Sequence, residues 1–483
     1  MEKLYNVLNW IDGNILWGIP MIVLILVCGI LLASRSKFLQ VRKFGTSMKT
    51  TFGETFTKKG KNPVTDKKTI SPFEAFATAI SGTVGTGNIV GVTTAIISGG
   101  PGAVFWMWIS AFFGMITKFS EITLGVYFRK KGADGEYIGG PMYYIEKGTK
   151  QRWLAILFAI FTMFAALGMG SVQANTIQST WFEAFSIPTW VTALVVAVLT
   201  AVVVIGGIKR IGKVTALLVP FMVVIFLIMA LILVFANVSL VPKAFASIFT
   251  SAFSTKSLLG GVAGYGIARA MRFGFARGIF SNEAGLGSSS IAHSNTSEVE
   301  PVKQGLWGIV EVFIDTFVIC TLTALFILTS GIELTPNSDG ALVAMGAFSN
   351  VFGKFGTIIY SIILPLFAFS TILAWALYGA KAMQYLFKKH QKGSKLVFNI
   401  LYIAFIVGVA LLTFFCGDNL GADFVWLISD MTNGLMAIPN LIALIVLSGL
   451  TVKLVKNYFD RKKGKDVLPL TSAYDENGNY VKR

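Results

Sequence analysis

The stretch SGTVGTGNIVG, residues 81–91, interleaves four glycines with Ser81, Thr83, Thr86 and Asn88, inside an apolar run otherwise long enough to cross a bilayer. Each glycine costs a helix interior roughly 1 kcal/mol relative to alanine, so an uninterrupted helix is a poor use of this composition. Where a transmembrane helix unwinds at mid-depth, the freed carbonyls can coordinate a cation. The freed amides, with the positive end of the following half-helix, can hold an organic carboxylate. Backbone exposed in this way is tolerated only beside a water-lined or ligand-filled cavity. Close helix packing is the other use of glycine in membranes, but it leaves Thr83, Thr86 and Asn88 unexplained. A second stretch, ARGIFSNEAGLGS at 276–288, again sets glycine, serine and asparagine in an apolar context. Gln173 lies 88 residues after Gly85, and Ser370 lies 89 after Ser281. Both intervals start at a suspected helix break and end at a polar residue in an apolar span, as an inverted repeat around a midplane site predicts.

The elements that must position these residues are membrane spans. Of 483 residues, 54% are hydrophobic and 13% charged, against about a quarter charged in soluble domains. Eleven apolar segments have spanning length: 14–34, 72–99, 102–127, 153–181, 188–206, 212–236, 265–297, 304–332, 352–387, 395–415 and 422–450. The seventh carries Arg269, Arg272 and Arg277, which need water or a partner in hydrocarbon. The first is too long for a signal peptide and lacks a small-residue cleavage site, so it is expected to be retained.

The expected fold is an all-α integral membrane protein of eleven transmembrane helices. Residues 1–70 hold an additional N-terminal helix and a basic loop. Residues 71–236 and 237–450 form two five-helix repeats, with the first and sixth core helices broken, and 451–483 form a polar, mobile tail.

The net charge of +17 follows a topological pattern. Lys and Arg concentrate in every second loop, as in 35–71 (Arg35, Lys37, Arg42 and Lys43, and Lys58, Lys59, Lys61, Lys67 and Lys68 further on), around Arg129 and Lys209, at Lys388–Lys389 and after Lys453. The positive-inside rule places those loops and the C-terminus in the cytoplasm of a plasma-membrane protein and the N-terminus outside. It absorbs the charge without a nucleic-acid partner. Cys28, Cys320 and Cys416 have no metal-site or disulfide spacing. No loop is long enough for a catalytic or signalling domain, so an enzyme or membrane sensor lacks its constellation and no enzymatic cofactor is expected.

Five stretches are distinctive in combination: SPFEAFATAISGTVGTGNIVGVTTAIISGGPGAVFWMWISAFFGMITKFSE (71–121), GGPMYYIEKG (139–148), ARGIFSNEAGLGSSSIAHS (276–294), GLWGIVEVFIDTFVICTLTAL (305–325) and FAFSTILAWALYG (367–379). They closely resemble the alanine or glycine:cation symporter family, in the family's order over residues 70 to 450. The resemblance implies sodium-coupled uptake of alanine or glycine by alternating access, in a fold like that of the leucine transporter with the first helix outside the repeat.

Against that fold's sodium site, the resemblance places Ser81 and Val84 as carbonyl ligands, facing the Phe367 carbonyl and the Ser370 and Thr371 hydroxyls. Spacings of three and four residues put these last three on one helical face, and oxygen ligands suit a hard cation. Back-bonding of Ser370 and Thr371 to their own helix is the alternative. The substrate carboxylate is expected at the amides of Gly85, Thr86 and Gly87, with Asn88 fixing the break or helping to hold the charge. Gln173, one turn beyond Met169, offers a carbonyl to the ammonium, or else makes a structural interhelical bond. Thr371 and Trp375 would wall the cavity from one side, unless Trp375 is an ordinary packing residue, and Ile279 and Phe280 from the other.

Lys118, Glu121, Arg277, Glu283, Glu311 and Asp315 lie within the spans, where ionisable residues either mark ion paths or make structural salt links and gate contacts. Thr83, Glu283 and Asp315 are candidates for a second cation or for gating, and Glu283 or Asp315 would titrate in a proton-coupled alternative. Spacing pairs Lys118 with Glu121 and sets Glu311 against Asp315, while His293 and His390 are expected near the cytoplasmic surface. The family commonly has glycine at Ala374 and an acidic residue at Ala380. The extra methyl favours a smaller ligand, and the missing carboxylate alters gating.

Overall fold

The computed structural model describes residues 2–53, 69–132, 135–254, 265–335, 338–416, 419–475 and 479–481. The basic residues Lys58, Lys59, Lys61, Lys67 and Lys68 lie outside the described residues.

Helix α1 (Glu2–Ile11) passes through a π-helical turn into α2 (Ile19–Arg35), followed by the short α3 (Leu39–Arg42) and α4 (Phe44–Met48). Next come α5 (Pro72–Thr83), α6 (Val90–Gly99) and α7 (Gly102–Tyr127). A two-stranded ribbon, β1 (Lys130–Lys131) and β2 (Tyr137–Ile138), precedes α8 (Pro141–Gly148), α9 (Arg152–Phe185), α10 (Thr189–Val204), α11 (Gly207–Ala236) and α12 (Val241–Ala252). The chain continues through α13 (Tyr265–Asn282), α14 (Ser288–His293), α15 (Pro301–Val312) and a π-helical stretch Phe313–Cys320 into α16 (Thr321–Thr329). It ends with α17 (Gly340–Phe352), α18 (Lys354–Leu386), α19 (Gln391–Cys416) and α20 (Asn419–Lys462). Eight of the described helical stretches have the length and composition to cross a membrane, and shorter apolar helices accompany them. The protein is a multi-pass, all-helical membrane protein.

Local sequence chemistry explains several boundaries. Ser71, Pro72 and Glu74 build a complete capping box. The Glu74 amide donates to Ser71 Oγ (3.2 Å), and the Ser71 amide donates to Glu74 Oε2 (2.7 Å). Such a cap contributes about 1 kcal/mol, and proline at the first helical position forfeits no internal hydrogen bond. Asp339 caps α17 by accepting from the Ala341 and Leu342 amides. The outer faces of α10 and α11 expose Leu194, Val198, Val202, Phe221, Val224 and Ile228, a belt that only lipid satisfies.

Two long helices form the scaffold of the interior, since α9 and α18 pack on each other more extensively than any other pair. The apolar segments expected at 72–99 and 265–297 are not continuous helices. The first stops at Thr83 and resumes at Val90, and the second stops at Asn282 and resumes at Ser288.

The tail corrects an expectation. Helix α20 runs to Lys462, well past 450, and the segment beyond it packs back on the protein. Asn457 Nδ2 donates to the Leu468 carbonyl (2.8 Å), and the Leu470 amide donates to Asn457 Oδ1 (3.1 Å). The amide of buried Ala473 donates to the Tyr127 carbonyl at the end of α7 (2.9 Å), and Tyr480 stacks on Phe128 at 6.3 Å. Polar composition predicted mobility, but interleaved Leu470, Ala473 and Tyr474 give the segment apolar surface to bury.

Candidate functional site

The first break lies against α18. At Val84 the backbone leaves helical geometry (φ −83°, ψ 88°), and at Gly85 it is extended. The Ser81 carbonyl, at the end of α5, accepts from Thr371 Oγ1 (2.9 Å) and Ser370 Oγ (3.3 Å). The same two hydroxyls reach the Phe367 carbonyl at 3.2 and 2.8 Å. Four oxygens from two elements thus converge on one buried point beside Val84. Back-bonding and convergence are both present, because each hydroxyl spans its own helix and α5. Thr83 does not join this group, since its hydroxyl donates to Ile80 of its own helix (3.1 Å).

Beyond the break, the Gly85 amide donates to Asn88 Oδ1 (2.9 Å) and the Thr86 amide to Gln173 Oε1 (3.3 Å). Gln173 therefore reaches across from α9 and touches the unwound backbone. Thr86 Oγ1 is fully buried without a partner, a state that costs about 1–3 kcal/mol and marks a position a ligand can satisfy. A Cβ at Gly85 would sit 2.3 Å from Thr371 Oγ1, so α18 approaches too closely here for any side chain. At Gly87 it would lie 3.1 Å from the Phe280 ring. Phe280 itself stacks on Trp426 at 6.0 Å. Trp375, fully buried, meets Tyr378 edge-on at 5.5 Å. Met169 and Ile279 are buried.

Asp315 joins the two breaks. Its carboxylate accepts from Asn88 Nδ2 (2.6 Å) after the first, from Ser281 Oγ (3.0 Å) before the second, and from Thr316 Oγ1 (2.8 Å). Ser281 and Ser370, paired by spacing in the sequence, bond to different partners, with Ser370 serving the first break.

The second break is held by side chains of α7. Lys118 Nζ donates to the Asn282 carbonyl (2.5 Å), the end of α13, and pairs with Glu311 (2.7 Å). One turn along, Glu121 Oε1 accepts from the Gly285 amide (2.9 Å) and from Asn440 Nδ2 (2.7 Å). The expected Lys118–Glu121 pair is thus replaced. The cation caps an orphan carbonyl and the anion an orphan amide, the groups a helix end leaves unsatisfied. Glu283 and Gly285 both adopt positive φ (54° and 101°), a turn that glycine makes easily and glutamate rarely. Glu283 Oε2 accepts from Ser288 Oγ (2.5 Å), and the Glu283 carboxylate also interacts with the Trp375 indole N–H.

One further expectation is corrected. Glu311 and Asp315 do not oppose each other as α-helical neighbours, because Asp315 lies in the π-helical stretch and serves a different cluster. His293 is fully buried, with Nδ1 bonded to Gln304 Nε2 (2.7 Å) and Nε2 facing Glu311 (3.4 Å).

Sequence reading missed a charged pair above the site. Arg277 and Asp430 form a two-pronged ion pair (2.8 and 3.2 Å) lining a cavity of about 1100 Å³, which also reaches Gly91 and Thr176. An aspartate in the apolar run of α20 was the available signal.

A model of the sodium:alanine symporter family matches residues 1–471. The chain belongs to that family. Among relatives of this sodium:alanine symporter family chain, the sodium/alanine symporter AgcS of Methanococcus maripaludis is 38% identical over 471 residues, covering 96% of this chain and 98% of the relative. The probable sodium/glutamine symporter GlnT of Bacillus subtilis is 36% identical over 469 residues, covering 96% and 93%. A crystal structure of MhsT in complex with L-phenylalanine superposes with a TM-score of 0.59 at 14% identity, covering 81% of this chain and 99% of that one. The fold is thus that of leucine-transporter-like proteins, and this symporter-family chain is a transporter, not an enzyme.

Proposed function

We propose that this protein imports alanine and glycine together with sodium by alternating access. The observation that carries the reading is the meeting of the Ser81 and Phe367 carbonyls with the Ser370 and Thr371 hydroxyls, three residues before the break that opens at Val84. Sodium, entering as cargo, takes these oxygens and the Val84 carbonyl as ligands, and the hydroxyls turn their protons away from it. The substrate carboxylate docks on the amides of Gly85, Thr86 and Gly87, and Gln173 receives the ammonium through its carbonyl. Ion and substrate share one backbone segment, so each raises the other's affinity by the same factor. The cavity walls are large and close: Phe280 borders Gly87, Trp375 lies one turn beyond Thr371, and Ala374 packs its methyl on α5 at Gly82. This favours small side chains over the phenylalanine that MhsT holds. The basic loops and the C-terminus face the cytoplasm in this reading, and the 1100 Å³ cavity bordered by Arg277 and Asp430 faces outside.

Ser370→Ala combined with Thr371→Ala is expected to weaken sodium activation of alanine uptake by at least tenfold in proteoliposomes, the effect of about 1.4 kcal/mol of lost ion binding. Unchanged sodium activation contradicts the ligand assignment. Gln173→Ala is expected to lower alanine affinity with the fold retained, read by calorimetry on purified protein; equal affinity removes its role.

A proton-coupled reading draws on Asp315, whose buried carboxylate ties both breaks together, and on the fully buried carboxylate of Glu283. Uptake of alanine, glycine and glutamine at fixed pH, with sodium replaced by potassium, separates the readings. Activity retained in potassium rejects sodium coupling, and glutamine uptake matching that of alanine rejects the small-substrate assignment.

A further inference from the structure

The start of α9 and the turn from α18 into α19 enclose a cavity of about 560 Å³ on the face that carries the basic loops. Its wall is divided by chemistry. Arg152, Lys389 and His390 supply basic nitrogen, and Ile156, Leu386 and Phe387 supply apolar surface. Lys388, at the same rim, is committed to Glu146 (2.8 Å) and to the ring of Tyr385 (4.4 Å). Arg152, Lys389 and His390 have no acidic partner among the described residues. Helix α9 begins at Arg152 with no side-chain cap, so its first amides and the positive end of its dipole add to the same field. Positive charge is dense around this corner: burial, and next the charge of Lys388, pulls the ammonium of Lys130 on β1 below its ordinary range.

A soluble anion would use the charges and ignore what lies beside them. Phe387 is 50% exposed and Trp153 61%, where the two long helices leave the hydrocarbon, and aromatic side chains at that level belong to the membrane interface. We propose that this cavity binds the headgroup of an anionic phospholipid, its phosphate on Arg152 and Lys389 and its acyl chains running over Phe387 and Ile156. Basic pockets between spans on the positively charged face take such headgroups. The consequence reaches the transport site, because α9 carries Gln173 and α18 carries Ser370 and Thr371. A lipid bridging the ends of α9 and α18 steadies the pair that holds these residues.

The test uses full-length protein and a binding readout independent of transport. In native mass spectrometry, the protein should retain phosphatidylglycerol and release phosphatidylcholine of the same chain length. Arg152→Gln with Lys389→Gln should weaken phosphatidylglycerol retention about 30-fold, the loss expected of two basic side chains at an anionic surface. Arg152→Lys with Lys389→Arg should keep it. Thermal unfolding of the unaltered protein should shift upward with phosphatidylglycerol and not with inorganic phosphate. Equal retention of the two lipids, retention undiminished in the double glutamine variant, or equal protection by inorganic phosphate overturns the proposal.

Discussion

Gly85→Ala is expected to abolish sodium-driven alanine uptake in a protein that still folds. The added methyl carbon would stand 2.3 Å from Thr371 Oγ1, on a short side chain that cannot swing clear, while Gln173 Oε1 at 3.5 Å stays at ordinary contact distance. Thr371 has to move off the Ser81 carbonyl, or the break has to move off α18. Either shift disperses the four oxygens and tilts the Gly85 amide away from Asn88 and the Thr86 amide away from Gln173. Overpacking of this kind costs about 1–3 kcal/mol, roughly five- to hundredfold in binding, and here ion and substrate lose together. The measurement is uptake under an imposed sodium gradient, beside the melting temperature in detergent. Wild-type uptake in the variant contradicts the close approach of α18 to the break.

Lys118→Met is expected to destabilise the protein by about 3–5 kcal/mol, the usual result of removing one partner of a buried ion pair. Glu311 would keep a buried charge bonded, among the described residues, to Ser289 and His293, and the Asn282 carbonyl would lose its Lys118 donor. Adding Glu311→Leu should restore much of the melting temperature, because the stranded charge is gone. Transport should stay impaired in the double variant, since nothing then caps the end of α13. A melting temperature unchanged in Lys118→Met would show that the pair does not hold the break.

The breaks themselves were legible in the sequence because glycine, hydroxyl and amide residues are out of place in a membrane helix. The cluster of Phe367, Ser370 and Thr371 was legible through helical spacing and family resemblance, and the structure brings these residues to Ser81. Partner choice among buried charges was not legible. Lys118 and Glu121 have pairing spacing on α7, yet both turn to the backbone at 282–285, where tertiary contacts offer groups no local rule reveals. The spacing of Glu311 and Asp315 misled for a different reason, since a π-helical stretch changes the angular step between residues. Asp430 escaped notice because its partner, Arg277, lies far away in sequence. The tail was misjudged by net polarity, which hides the few apolar residues that dock it.

The clasp of α7 on the bend at 282–285 makes the two interruptions unequal. One is held by the chain's own ammonium and carboxylate, Lys118 on the Asn282 carbonyl and Glu121 on the Gly285 amide. The other holds an uncommitted hydroxyl at Thr86 and amides spoken for only by neighbouring side chains, so its geometry is the part that cargo can sense. On the rocking cycle proposed above, α7 and α13 are expected to move together, because Lys118 and Glu121 tie them at 282–285, and the segment at 84–89 is the expected point at which bound cargo is felt.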